Sequence, residues 1–326
     1  DASWSRGLGD VYKRQQKESV FSYLSSVDVA GVNTVVSLLA PKPETKALLT
    51  NLAPQGVLTD VYVRFDGDVK LVADLEGFGN KYANGIPATS GLFASIAHHN
   101  NNTAITLSAS DSALDFEDGF YRPIPYQALS SNIQISNQGN GLKIKAKALK
   151  FLSSELKLDG ELALDLPKNE APGMSLVANI RDVDASNARY YYPLKTMTNN
   201  LVGYLENGIV AGKIPLATVI YQGKFKDFPF NENQGVFSVK AELQDAIFKF
   251  DSQWPAIHKM DAHLDFTNNS MMITARKGDL SGLNVDQVVA KIDELKGASV
   301  LIVDAGIDRQ SAQNVHTLLS QSPMQD

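Results

Sequence analysis

A two-residue period governs most of this chain. Apolar and polar side chains that alternate at every residue separate cleanly onto the two faces of an extended strand, and a helix cannot sort them that way. Val61, Val63 and Phe65 alternate with Tyr62 and Arg64, Asp66-Gly67-Asp68 supplies hairpin-turn chemistry, and Val69, Leu71, Ala73 and Leu75 resume the pattern. Leu142, Ile144, Ala146 and Ala148 alternate with Lys143, Lys145 and Lys147. Leu156 and Leu158 follow, Asp159-Gly160 reads as a turn, and Leu162, Leu164 and Leu166 continue. Phe237, Val239, Ala241 and Leu243 make another unit with Phe248 and Phe250, and Leu264 and Phe266 are joined to Met271 and Ile273 through Asn268-Asn269-Ser270. The prediction is a mainly β fold: an extended, curved antiparallel sheet of strands about eight residues long, arranged as a meander.

Helices are few and short. Pro43 to Leu52 and Gln310 to Leu319 each read as one, and the clearest spans about Pro193 to Asn207, with Leu194, Met197, Leu201, Tyr204 and Leu205 on one face. A loose repeat sets Gly91-Leu92-Phe93 through Ile133-Gln134-Ile135 against Gly235-Val236-Phe237 through Leu264-Asp265-Phe266. Residues 1–15 show no period and resemble translated adaptor sequence, so they are set aside as non-native. The remainder divides into a first β segment, 16–190, and a second, 191–326, opened by the helix at about 193–207. The expected chain is a piece of a longer protein.

Composition removes several functions. There are no cysteines, so thiolate metal sites, disulfides and cysteine nucleophiles are excluded. A net charge of −6 gives no electrostatic case for nucleic acid. The longest apolar run, Val35 to Ala40, stops at Pro41, far short of the ~18–20 residues that span a bilayer. His258 and His263 are five apart, which is read as fitting neither the i, i+4 zinc arrangement on a helix nor the adjacent-turn finger spacing, and in a plain strand puts the rings on opposite faces. Asp66 and Asp68 lack the glutamate of a calcium loop, Gly77-Phe78-Gly79 lacks a third glycine, and Gly278 to Gly282 lacks the nucleophile-elbow spacing. Asp115 and Glu117 are the carboxylate pair that a glycoside hydrolase would need to set across a cleft. The lysines at 143, 145, 147 and 150 read as a solvated outer face. No catalytic residue, metal ligand or cofactor is expected.

What remains is a greasy sheet face with too few helices to cover it, and an apolar trough binds something apolar. The expected lining is the alternating set: Val61, Val63, Phe65, Leu142, Ile144, Leu162, Leu164, Leu166, Phe237, Val239, Phe248, Phe250, Leu264, Phe266, Met271 and Ile273. Their common face depends on register, because one bulge reverses the assignment.

An ordered series of residues carries a family resemblance. It runs Tyr191-Tyr192-Pro193, Leu201, Tyr204-Leu205, Ile209, Gly212, Ala217-Thr218-Val219, Tyr221-Gln222-Gly223, Phe228-Pro229-Phe230 and Gly235-Val236-Phe237, and closes with Trp254-Pro255, Leu264-Asp265-Phe266, Leu301 to Ala305 and Ser322-Pro323. Leu52 to Leu58, Ile86-Pro87 and Gly91-Leu92 extend it forward. In this the chain resembles the YhdP family of AsmA-like proteins from Gram-negative envelopes. The resemblance implies a bridge-like phospholipid-transfer protein of the periplasm, held in the inner membrane by an N-terminal anchor outside this chain. It further implies phospholipid acyl chains and the remaining segments of the full-length protein as partners, and no catalytic residues. Two alternatives stay open: a structural or assembly protein of the envelope with a dry β core and protein partners, and a carbohydrate-active β-solenoid enzyme with clustered carboxylates.

Overall fold

The structure, a computed structural model, describes residues 12–16, 19–39, 43–137, 139–296, 300–307 and 311–324. The described residues form sixteen strands in one antiparallel sheet, and each strand bonds to those before and after it in the sequence. The strands are β1 (Tyr12–Gln16), β2 (Ser19–Asp28), β3 (Gln55–Phe65), β4 (Val69–Asn80), β5 (Thr89–His99), β6 (Asn102–Leu114), β7 (Ile124–Asn137) and β8 (Gly141–Leu152). They continue as β9 (Lys157–Pro167), β10 (Gly173–Asp184), β11 (Ile209–Lys224), β12 (Val236–Phe248), β13 (Ile257–Thr267), β14 (Ser270–Leu280), β15 (Leu283–Ile292) and β16 (Leu301–Ile307). Four α-helices interrupt the meander: α1 (Val29–Leu39), α2 (Pro43–Leu52), α3 (Asn199–Gly208) and α4 (Ala312–Ser320).

Two compact units partition the chain. The first contains residues 1–118, 122–154 and 161–172, and the second 119–121, 155–160 and 173–326. In the first, α1 and α2 fill the connection from β2 to β3, and α1 lies against both strands. In the second, Thr198 caps α3 by accepting the Leu201 N–H, and Ser311 caps α4 by accepting the Asn314 N–H. The loop between β11 and β12 folds an aromatic cluster: Phe230, 1% exposed, packs edge-on to Tyr221 and Phe228.

One feature recurs strand after strand. Most long strands carry an extra residue with positive φ: Asp60 on β3, Gly77 on β4, Gly91 on β5, Asp111 on β6, Ala148 on β8, Asp182 on β10, Asp245 on β12, Lys259 on β13 and Gln287 on β15. Each is a bulge that reverses the alternation, so the same face is held by residues three apart across it. Val183 therefore continues the face of Ile180, Ala246 that of Leu243, and Met260 that of Ile257, where Ile257, Met260 and Ala246 are all buried. Aspartate fills four of these positions, because its short polar side chain tolerates the left-handed region.

Several sequence expectations are corrected. Asp159-Gly160 is not a turn but lies inside β9, where the Val177 carbonyl stands 2.5 Å from the place a Cβ on Gly160 would occupy. Ala148 is a bulge residue on the outer side, and the inward position passes to Leu149. The helix expected from Pro193 begins only at Asn199, after a 3-10 segment at Ala185–Tyr191, while α1 went unread. The loose repeat matches two strands, β5 and β6, to the single strand β12, so it is not a structural repeat. Strands β2 to β15 run 10 to 16 residues rather than about eight. Residues 1–11 of the segment set aside lie outside the described residues, whereas Tyr12–Gln16 pair with β2. The Lys259 bulge also returns His258 and His263 to the same polar face, where His263 Nδ1 meets Glu242 Oε1 at 3.0 Å.

Candidate functional site

Register assembles the apolar face of the first unit in rows that run across the strands. One row reads Ser22, Val63, Leu71, His98, Thr103, Ile135, Ile144, each paired with the next. A second reads Ala73, Ile96, Ile105, Ile133, Ala146, and another, beyond the bulges, reads Phe78, Leu92, Ala109, Leu129, Phe151. Paired residues of an antiparallel sheet point to the same side, so the second and third rows are continuous apolar strips, and the first is apolar except for Ser22 and the adjacent pair His98 and Thr103. The opposite side carries Lys143, Lys145 and Lys147, all exposed, opposite Ser136, Gln134 and Asn132.

Among the expected lining residues of this unit, Val61, Val63, Phe65, Leu142 and Ile144 lie on one face. Val61 is buried, Val63 and Ile144 are half-buried, and Phe65 and Leu142 are 52% and 39% exposed. Leu162, Leu164 and Leu166 alternate along β9 and are half-buried. Among the described residues the principal packing neighbours of each strand are the strands beside it, and α1 lies chiefly against α2, β2 and β3. Leu71, Ile96, Ile105, Leu107, Ile133 and Ile135 accordingly stay half-buried instead of forming a sealed core. His98 stands on this apolar face, its Nδ1 2.9 Å from Thr103 Oγ1.

The second unit has the same row logic with a different outcome. Val219, Val239, Phe266, Met271 and Ile292 form one row, and Ala217, Ala241, Leu264, Ile273 and Ala290 the next. Met271 is 1% exposed and Ile273 3%, and Leu264 and Phe248 are equally sealed. Phe237, Val239 and Phe266 are half-buried. Phe248 is covered by α3, whose Tyr204 ring lies 6.3 Å away and whose Gly208 lets the Phe248 ring come close. Phe250 does not belong to the strand: β12 ends at Phe248, and the Phe250 ring packs on Trp254 at 5.9 Å.

Polar groups on the two faces are few, and some lack partners. The Ser131 hydroxyl is satisfied by the Lys147 carbonyl at 3.1 Å. Among the described residues the hydroxyls of Tyr126, Tyr204 and Tyr221 are buried without a hydrogen-bond partner. An orphaned buried hydroxyl costs about 1–3 kcal/mol. Burial alone pushes the Tyr204 hydroxyl up to about 12, so it is neutral and remains a donor at physiological pH.

No grouping of three or more histidine and carboxylate residues that could hold a metal occurs among the described residues, and none of their helices is long and apolar enough to cross a membrane. Asp115 and Glu117 do share a cleft. They stand two residues apart in one turn, with the Glu117 N–H donating to Asp115 Oδ1 at 2.8 Å, rather than on opposite sides of a substrate bond.

The strands form a meander in which each pairs with its sequence neighbours, and the sequence model of the YhdP protein family matches residues 1–326. The chain belongs to the YhdP family. It is similar to the intermembrane phospholipid transporter YhdP of Escherichia coli (strain K12), at 24% identity over 307 residues, which cover 93% of this chain. That match covers 24% of the E. coli protein, so the chain spans about a quarter of the length of this YhdP relative. No solved structure matches.

Proposed function

We propose that the chain is a central section of a periplasmic YhdP-type conduit, without catalytic activity, in which the apolar face of the first unit shields phospholipid acyl chains on their way between inner and outer membrane. The full-length protein is held to the inner membrane by an anchor beyond this chain. The observation that carries the reading is the set of mainly apolar rows from β3 to β8, in which Val63, Leu71, Ile96, Ile105, Ile133, Ile135 and Ile144 stay half-buried and, among the described residues, the principal packing neighbours are the adjacent strands. Each methylene moved from bilayer to water costs about 0.8 kcal/mol, so a sixteen-carbon chain forfeits roughly 13 kcal/mol unless an apolar surface replaces the bilayer along its length. Leu162, Leu164, Leu166, Phe237, Val239 and Phe266 extend the proposed lining. Phe248, Leu264, Met271 and Ile273, being sealed, would contribute only if the second unit loosens.

Native mass spectrometry of the chain, purified without detergent from a bacterial host, tests this. Phospholipid-mass adducts are expected on wild type and on Lys145→Glu, which alters the outer face, and are expected to vanish in Ile144→Asp, which places a charge among the rows. A folded Ile144→Asp variant that keeps its lipid, or a wild type that carries none, would refute the reading. The alternative, a structural envelope protein with a dry β core, draws its support from the sealed face of the second unit. It predicts no lipid on any variant.

A further inference from the structure

At the α2 end of the first unit, the apolar rows run into a polar cleft. Phe78 and Leu92 pair in the last apolar row, and the next register pair on the same two strands is Asn80 with Thr89. Beyond it opens a cleft of about 650 Å³ lined by Asn51, Lys81, Tyr82, Asp115 and Glu117, among others. Its walls are tied down. The Lys81 N–H donates to the Leu52 carbonyl at the end of α2 at 2.7 Å, and Asn80 Nδ2 donates to the carbonyls of Pro87 at 2.8 Å and Lys81 at 2.9 Å. Ala88 and Asp115 exchange both backbone hydrogen bonds, at 2.8 and 2.9 Å.

The charges of the cleft are mixed: one ammonium, on Lys81, and two carboxylates, on Asp115 and Glu117. None of the three has an ion-pair partner among the described residues. A pure anion would meet the carboxylates and a pure cation the lysine. A group that carries both signs a few ångströms apart suits the set. At the same end of the apolar face two buried hydroxyls, Thr89 Oγ1 and Tyr126 Oη, have no hydrogen-bond partner among the described residues, and Tyr126 is only 3% exposed. They are unused donors where apolar surface gives way to polar, the level at which a lipid carries its ester and phosphate oxygens.

The geometry points to this cleft as the seat of a zwitterionic headgroup, with Lys81 taking the phosphate and Asp115 and Glu117 the primary ammonium of a phosphoethanolamine. This rests on the acyl-chain reading above and adds to it a headgroup preference built into one end of the face.

The test offers the whole chain vesicles of equal phosphatidylethanolamine and phosphatidylglycerol and weighs the bound lipids by native mass spectrometry. Wild type is expected to enrich the ethanolamine lipid by about threefold, the discrimination a partly exposed charge contact gives. The isosteric pair Asp115→Asn with Glu117→Gln is expected to bring the ratio to near parity without reducing total lipid. If that pair fails to fold, Lys81→Gln on its exposed side chain is the second variant; because both lipids carry the phosphate, it is expected to lower the total bound lipid while the ethanolamine enrichment is kept. Total lipid unchanged with an unaltered ratio in a folded variant would overturn the headgroup seat while leaving the acyl reading intact. No lipid on wild type would overturn both. A parallel titration with free phosphoethanolamine separates the sources: binding of the free solute with no enrichment among the bound lipids would also overturn the seat.

Discussion

At the residue scale, the sharpest constraint is set by the Phe230 ring. A Cβ on Gly223 or on Gly235 would stand 2.5 Å from a carbon of that ring, and Gly223 is also at φ +152. Gly235→Ala is therefore expected to overpack the aromatic cluster and cost about 1–3 kcal/mol, read as a lowered denaturation midpoint with an unchanged slope. Phe230→Ala should cost about 3–5 kcal/mol in the same assay. Asp261 supplies a pH effect. Lys277 Nζ, 2.9 Å away, and the Asp245 N–H at 3.0 Å hold its carboxyl below the ordinary carboxylate range. Because the folded value is the lower one, the contribution is present above the unfolded value and disappears as pH falls through the folded one. Asp261→Asn should thus lower the unfolding free energy at neutral pH by no more than about 1 kcal/mol for so solvent-screened a pair, and the gap from wild type, read by denaturant titration at each pH, should close on acidification below about pH 4.

At the scale of the element, the bulge decides what a sequence reader can and cannot see. The strands that carry the expected lining were visible because each regular stretch lies wholly on one side of its bulge: Val61 to Phe65 follow Asp60, and Leu142 to Ala146 precede Ala148. On β3 and β8 the other half of the strand is not legible as the same face, since an extra residue shifts the phase and leaves no compositional mark when it is an alanine or a lysine; on β12 the expected lining includes Phe237 and Val239 before the Asp245 bulge and Phe248 after it. His98 and Leu149 were missed for that reason or because a polar residue was not expected among aliphatics. Phe250 was misread because a two-residue period does not say where a strand stops. Asp159-Gly160 carried turn chemistry that the close approach of β10 overrides. Ala148 at φ +49 gives an element-scale test. Ala148→Gly should stabilise the chain by about 0.5–1 kcal/mol, since left-handed backbone costs alanine roughly 1–2 kcal/mol and glycine returns part of that in entropy. Ala148→Val should destabilise it, and equilibrium unfolding distinguishes the two. Thr198→Ala, which removes the cap of α3, should cost about 1 kcal/mol.

At the scale of the whole molecule, the two units respond differently to the same chemistry. An aspartate at Met271, 1% exposed, puts a charge into a sealed interior and is expected to unfold its unit, whereas one at half-buried Ile144 should leave a cooperative thermal transition and act on lipid. Circular dichroism melts of Met271→Asp and Ile144→Asp compare them directly. The order of the strands has a further consequence. Because every described strand pairs with the one made just before it, no segment must wait for a distant partner, and most of the loops to be closed are short, the helix-bearing connections at 29–54 and 185–208 being the long ones. A polypeptide of this topology can be laid down from its N-terminus as it emerges from a ribosome or a translocation channel, with a single growing edge at any moment. Vectorial emergence and assembly then proceed in the same direction, and a chain of any number of such strands folds under the same rule as one of sixteen.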